Sequence, residues 1–229
     1  KSINKASLQF KNIKFDLLVT DTNSAKEDID KIQQILNQSN IENKFESIDP
    51  KNFEDKIKPG YSEAKFSNMA NFYTSLMVAK KDPADVIYFV EDDYLHSEDA
   101  ITEMIFAYEK FCTIFSKDVV LLPADYPYLY AKDDVTKIYL GEKYHWRLVS
   151  ESLVTFMTSK KVIEKNYLNL EKMGIEWIDP WEKPLHDIYN SYPCLSPMPS
   201  LAVHCANINS IFGISPFSDL KKLWEKSEV

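Results

Sequence analysis

Glycine is scarce, at four in 229 residues, and none falls in a GxxxxGK[ST] or GxGxxG pattern. Neither backbone cradle for nucleotide phosphates is therefore present. Any phosphate bound by this chain must rest on metal and scattered side-chain donors. Cysteine is scarcer still. Cys112, Cys194 and Cys205 form no CxxC pair and leave one over, which argues against a disulfide framework or a zinc knuckle and for a reducing, cytoplasmic compartment. Apolar runs such as Val86 to Val90 fall far short of the roughly 20 residues a membrane-spanning helix needs, so no transmembrane segment is expected. The opening KSINKAS carries no secretory apolar core and no initiator Met, and reads as a trimmed or processed start. Positive charge is in deficit, with 27 Lys and Arg against 35 Asp and Glu for a net charge of −8. That balance excludes a general affinity for nucleic acid, which depends on clustered cations facing phosphates.

What the chain does have is an ordinary globular balance, 45% hydrophobic and 27% charged, and enough length to bury a substantial core. No linker, low-complexity tract or repeat divides it, so residues 1–229 are expected to form a single domain. Its order reads as strand (15–20), helix (from about Ile29), strand (44–48), helix (62–80), strand (86–91), helix (98–115) and strand (118–123). A loop-rich section to Arg147 follows, with a hairpin near 136–140. A strand (152–158), a helix (159–173) capped by Gly174, a short helix (185–192), a strand (200–205) and a terminal helix (219–226) complete it. Alternating strands and helices predict an α/β fold with a largely parallel central sheet flanked by helices, and a ligand outside the carboxyl ends of the strands.

At one such end stands VIYFVEDDYLH, Val86 to His96. An apolar run there passes directly into Glu91, Asp92 and Asp93. Two unit charges about 4 Å apart interact by about 4 kcal/mol at an effective dielectric of 20, so the cluster calls for a cation. If the strand persists, Glu91 and Asp93 share one face and Asp92 the other. Carboxylate oxygens are hard donors suited to Mg²⁺ or Mn²⁺. With few protein ligands, phosphate oxygens would complete the shell. The plainer reading is that these acids cap the next helix or face solvent.

IYFVEDDYLH resembles the DXD-type metal motif, in its EDD form, of the nucleotide-sugar glycosyltransferases of GT-A fold. The resemblance implies one GT-A domain, with a nucleotide-binding part at about 10–125 and an acceptor and catalytic part at about 126–229. It implies Asp93 as ligand of a metal bound to the donor diphosphate, with Glu91 and Asp92 near ribose, sugar or the outer sphere. LHDIYNSYP, Leu185 to Pro193, resembles the segment whose acid, at the start of a short helix, is the base of inverting members, here Asp187. SLAVHCAN resembles the late strand whose histidine approaches the metal, here His204. The chain departs from the family in carrying His186 before that acid, where many members have Glu. It also has MGIEWIDPWEKP in place of a glycine-rich segment, which leaves Glu182 and Asp179 as alternative bases. The resemblance spans Phe15 to about Asn207, and its acidic motif is the specific part.

Thr20, Asp21 and Asn23 follow the first strand, where an α/β sheet receives base and ribose, although Thr20 and Asn23 serve equally as helix caps. By the resemblance, Lys65, Asn68 and Asn71 on the long helix reach the nucleotide; a solvated helix face accounts for Lys65 as well. His204 in an apolar strand also reads as a core histidine. The stretches ADYPYLY (Ala124 to Tyr130) and KYHWR (Lys143 to Arg147) read either as an acceptor cleft or as core packing. The expected activity is sugar transfer, with inversion, from a nucleotide-sugar donor such as a UDP-sugar to a glycan or other hydroxyl acceptor. A metal-dependent nucleotidyltransferase or phosphohydrolase, and a non-catalytic carbohydrate-binding module, are the rival readings.

Overall fold

The first helix, α1 (Ser2–Gln9), lies against α4 (Ala100–Phe115), and its Ser2 hydroxyl accepts the Ile101 N–H at 3.0 Å. This architecture comes from a computed structural model that describes residues 1–131, 135–205 and 219–227. Strands β1 (Asp16–Asp21) and β2 (Glu42–Ser47) pair in parallel, with α2 (Lys26–Asn37) as the crossover between them. The long helix α3 (Glu63–Lys81) starts at Ser62, whose hydroxyl accepts the Lys65 N–H. It ends in Lys80 and Lys81, cations that suit the negative end of the helix dipole.

The remaining elements are β3 (Val86–Phe89), β4 (Tyr94–His96), β5 (Val120–Leu121), β6 (Ile138–Leu140), β7 (His145–Leu148) and β8 (Phe156–Ser159). After them come α5 (Lys160–Lys165), α6 (Tyr167–Ile175), α7 (Lys183–Tyr189), β9 (Cys194–Met198), β10 (Ala202–His204) and α8 (Leu220–Ser227). Among the described residues the central sheet has six strands in the order β3-β8-β5-β9-β7-β6. Only β5 and β9 run parallel within it. The expectation of a largely parallel sheet is therefore corrected: the sheet is mixed and mostly antiparallel. The physical reason is that β8 enters between β3 and β5 antiparallel to both. The β6–β7 hairpin then closes the far edge. A short apolar run carries no information on direction, and β3 is an edge strand whose Val86 is exposed, not one buried on both faces.

Both faces of this sheet are nevertheless covered, and alternation within the strands shows it. Val120 and Leu122 join a cluster with Phe72, Leu76, Phe156, Leu170 and Leu185, on the side of α3 and α5 to α7. Leu121 joins Met104, Phe111, Trp146, Met157 and Leu195 on the α4 side. Each such side chain contributes about 1.5–3 kcal/mol on burial. The first cluster runs from Phe72 to Ala202 and so draws on both expected parts of the chain.

The expected helix at 159–173 divides into α5 and α6 at Asn166, whose side-chain amide donates to the Val162 carbonyl at 2.7 Å. Gly174 lies within α6 and is not its cap. A Cβ there would sit 2.8 Å from the Cβ of Tyr73 on α3, so glycine is what lets the two helices approach. No helix among the described residues is long and apolar enough to cross a membrane.

Candidate functional site

Strand β3 stops at Phe89, and the acids occupy the turn into β4. The shared strand face expected for Glu91 and Asp93 is thus not formed, and the turn brings the two acids together instead. Phe89 fixes the base of this turn by stacking on Phe156 at 4.9 Å and lying 6.0 Å from Phe72. The Glu91 N–H donates to the Thr155 hydroxyl at 3.0 Å, and that hydroxyl donates to the Glu91 carboxylate at 3.3 Å. Burial, then the negative charge of Asp93, pushes the Glu91 carboxyl up to about 7; Glu182 adds to the rise, while His204 and Thr155 oppose it.

Asp93 is held from both ends. Its carbonyl accepts the Cys205 N–H at 2.6 Å, and its carboxylate Oδ2 accepts from His204 Nε2 at 2.9 Å. Its other carboxylate oxygen is buried and has no hydrogen-bond partner among the described residues. Antiparallel pairing of β4 with β10 sets Tyr94 opposite His204, with ring centroids 4.9 Å apart. The Tyr94 and Tyr126 hydroxyls bond at 2.6 Å behind them. Asp92 is exposed. Ala206 and Asn207, which end the SLAVHCAN segment, lie outside the described residues.

The candidate bases differ sharply. Asp187 does not stand at the start of its helix: α7 begins at Lys183, and Asp187 lies in its last turn, exposed and ion-paired with Lys183. The helix-start position belongs to Glu182. Burial raises the Glu182 carboxyl, with Asp179 adding to the rise and His186 opposing it. Glu182 is also among the charges felt by Glu91. Phe72 explains this proximity, because the same ring meets Phe89, just before the acidic turn, and Trp181, just before Glu182, at 5.9 Å. Tyr128 also lies in the field of Glu182. His186 Nε2 is engaged with the backbone of Ser152 at 2.9–3.0 Å.

Of the nucleotide candidates, Thr20 meets Ser75 of α3, hydroxyl to hydroxyl, at 3.3 Å. The Asn71 amide donates to Thr22 at 3.5 Å, and its carbonyl oxygen is buried without a hydrogen-bond partner among the described residues. Asp21 accepts the Ser24 N–H at 3.3 Å, a local turn contact. Asn23 and Asn68 are exposed. The Lys65 ammonium lies 4.3 Å from the Trp177 ring centroid. The seam between the end of β1 and α3 thus joins Thr20 and Asn71, with Thr22 a member that polar patterning after the strand could have flagged.

The aromatic stretches resolve toward packing. Trp146 and Tyr126 are fully buried in the core. Arg147 donates to one Asp125 oxygen through Nε at 3.2 Å and Nη2 at 2.8 Å, and the Tyr130 hydroxyl donates to the other at 2.5 Å. A buried ion pair saturated in this way is a structural unit.

Among the described residues no group of three or more His, Cys, Asp or Glu side chains converges to hold an ion. Asp93 and His204 supply one carboxylate and one imidazole, a donor set that fits a divalent cation whose remaining positions are filled by substrate oxygens. No model of a known protein family matches the sequence, and no curated protein matches it.

Proposed function

We propose that this protein is a metal-dependent glycosyltransferase that moves a sugar, with inversion, from a UDP-sugar or related nucleotide-sugar donor to the hydroxyl of a glycan or similar acceptor. The observation that carries the reading is the acidic turn. Asp93 is clamped to His204, its other oxygen buried and without a hydrogen-bond partner among the described residues, beside a Glu91 whose carboxyl is pushed up to about 7 by burial and by its neighbours' negative charge. Such a cluster is short of one cation. Asp93 and His204 would hold Mn²⁺ or Mg²⁺, which when bound supplies Lewis-acid stabilisation of a departing nucleoside diphosphate. Thr20, Thr22 and Asn71 line the seam at the end of β1 where base and ribose would lie.

Glu182 is the better base than Asp187. A carboxylate whose proton affinity is raised by burial accepts a proton from an acceptor hydroxyl more readily. Glu182 sits within the field of the acidic turn, whereas Asp187 is exposed and paired with Lys183 at the surface. The three free cysteines suit a reducing, cytoplasmic setting.

Titration calorimetry with UDP, in the presence and absence of Mn²⁺, tests the reading. Wild-type protein is expected to bind UDP in a metal-linked manner, and Asp93→Ala to lose that linkage while its circular dichroism is unchanged. Equal binding by the two proteins removes Asp93 from the metal. Release of intact UDP during turnover separates sugar transfer from nucleotidyl transfer, which would release pyrophosphate or UMP instead.

A further inference from the structure

Trp177 and Trp181 lie stacked, with ring centroids 5.0 Å apart and planes only 3° from parallel. Both are half-buried, unlike Trp146, whose ring is wholly enclosed by the core. The pair is rigidly mounted. The Trp181 indole donates to the Met173 carbonyl at 2.8 Å and its ring meets Phe72 edge-on, while the backbone N–H of Trp177 donates to the Tyr61 hydroxyl at 2.9 Å. Trp181 is thus engaged on its polar edge and against the core, and Trp177, half-buried beside it, packs against the cluster of Ile48, Phe53, Ile57 and Met69. What rests on Trp177 is the ammonium of Lys65, itself an exposed residue. A cation over a ring at a solvated position is weakly held and readily exchanged.

We infer that Trp177 is the stacking platform of the acceptor, and that the acceptor presents the apolar C–H face of a pyranose ring to it. A flat, preorganised aromatic surface with polar donors at its rim is the chemistry that holds such a ring. Lys65 and Asn68 lie on one face of α3 and supply those donors once Lys65 moves off the indole. Position assigns the platform to the acceptor and not to the nucleotide. Trp181 immediately precedes Glu182, the base, whereas Asn71, which bonds Thr22 at the nucleotide seam, lies beyond Lys65 on α3 by about 9 Å at 1.5 Å per residue. The acceptor role rests on the transferase reading; carbohydrate binding by Trp177 does not.

The test uses an array of immobilised mono- and oligosaccharides, probed with wild-type protein and Trp177→Ala in EDTA. The same two proteins are titrated with UDP by calorimetry in the presence of Mn²⁺. At least one glycan is expected to be retained by wild type and to be bound at least about tenfold more weakly by Trp177→Ala, while UDP with Mn²⁺ acts on both alike. A conservative Trp177→Phe should recover part of the binding, which separates loss of a ring from loss of the fold. No retained glycan, or equal retention by Trp177→Ala, overturns the proposal. Loss of the UDP response in Trp177→Ala alone also overturns it, because the ring would then hold the base. Glycan binding without any UDP response leaves the platform in place and removes the transferase reading.

Discussion

Glu182 and Asp187 belong to one short segment, yet their surroundings assign them different chemistry. At Glu182, burial and the nearby Asp179 favour the protonated form, which raises the proton affinity of its carboxylate. At Asp187 an adjacent lysine in the same helix satisfies the charge at the surface, and exposed pairs of this kind contribute little to stability. General bases contribute about 10² to 10⁴ in rate. On the proposed transferase reading, Glu182→Gln is expected to lose transfer activity on that scale with UDP-sugar affinity close to wild type, and Asp187→Asn to remain active. Initial-rate kinetics on the two variants decide the matter, and inactivity of Asp187→Asn alone would return the role to Asp187. In LHDIYNSYP the apolar pattern suggests a helix starting at Leu185, two residues later than α7 begins, which would put Asp187 in its first turn. Lys183 and Pro184 belong to the first turn of α7, where proline is well tolerated, and including them moves the helix start back to Glu182.

At the scale of elements, spacing reported most helices faithfully and strand direction not at all. The apolar stripe of α3 and the strand runs at β1, β3 and β5 were legible because burial imposes their period. The five-residue strand β9 went unread, since CLSPM contains a proline and lacks β-branched residues. The insertion of β8 between β3 and β5 is a non-local choice that no local pattern encodes. Gly174 illustrates the same limit. A glycine near the end of a helical pattern suggests a cap, but here it marks the crossing of α6 over α3. Gly174→Ala would set a methyl 2.8 Å from the Tyr73 Cβ and 3.1 Å from its Cα, contacts that a flexible side-chain tip cannot relieve. The expected cost is about 1–3 kcal/mol, typical of overpacking, read as a lower urea midpoint at unchanged slope. Gly60 is the internal control, since a Cβ there meets nothing within 4 Å. Its φ of +99° alone would resist substitution.

Across the whole molecule, the site depends on how the β4–β10 ribbon is docked on the central sheet. Leu201 and Ala202 both donate to the Pro123 carbonyl at 2.9 Å, at the end of β5. On the other side His96 of β4 accepts the Tyr88 hydroxyl of β3 through Nε2 at 2.5 Å, while its Nδ1 donates to the Tyr94 carbonyl at 3.3 Å. That arrangement requires a neutral imidazole. Burial lowers the His96 pKa to about 4, with the Tyr94 carbonyl opposing the change and the chain's amino terminus adding slightly to it. A histidine whose folded pKa lies below its unfolded value of about 6.5 contributes stability above pH 6.5, and that contribution is lost as pH falls toward 4. A shift of this size corresponds to at most about 3 kcal/mol. Glu91, raised to about 7, has the opposite sign, because protonating it favours the folded state as pH falls below 7. The two therefore offset one another in the wild-type profile, and a flat curve is no evidence that either is unperturbed. Comparison of wild type with His96→Gln in metal-free buffer isolates the histidine, since Glu91 is common to both. The stability advantage of wild type over His96→Gln at pH 7 is expected to shrink by up to about 3 kcal/mol by pH 4, measured by urea unfolding at each pH. A constant difference across that range would mean that His96 ionises without leaving Tyr88, and that the ribbon holding Asp93 against His204 is docked independently of it.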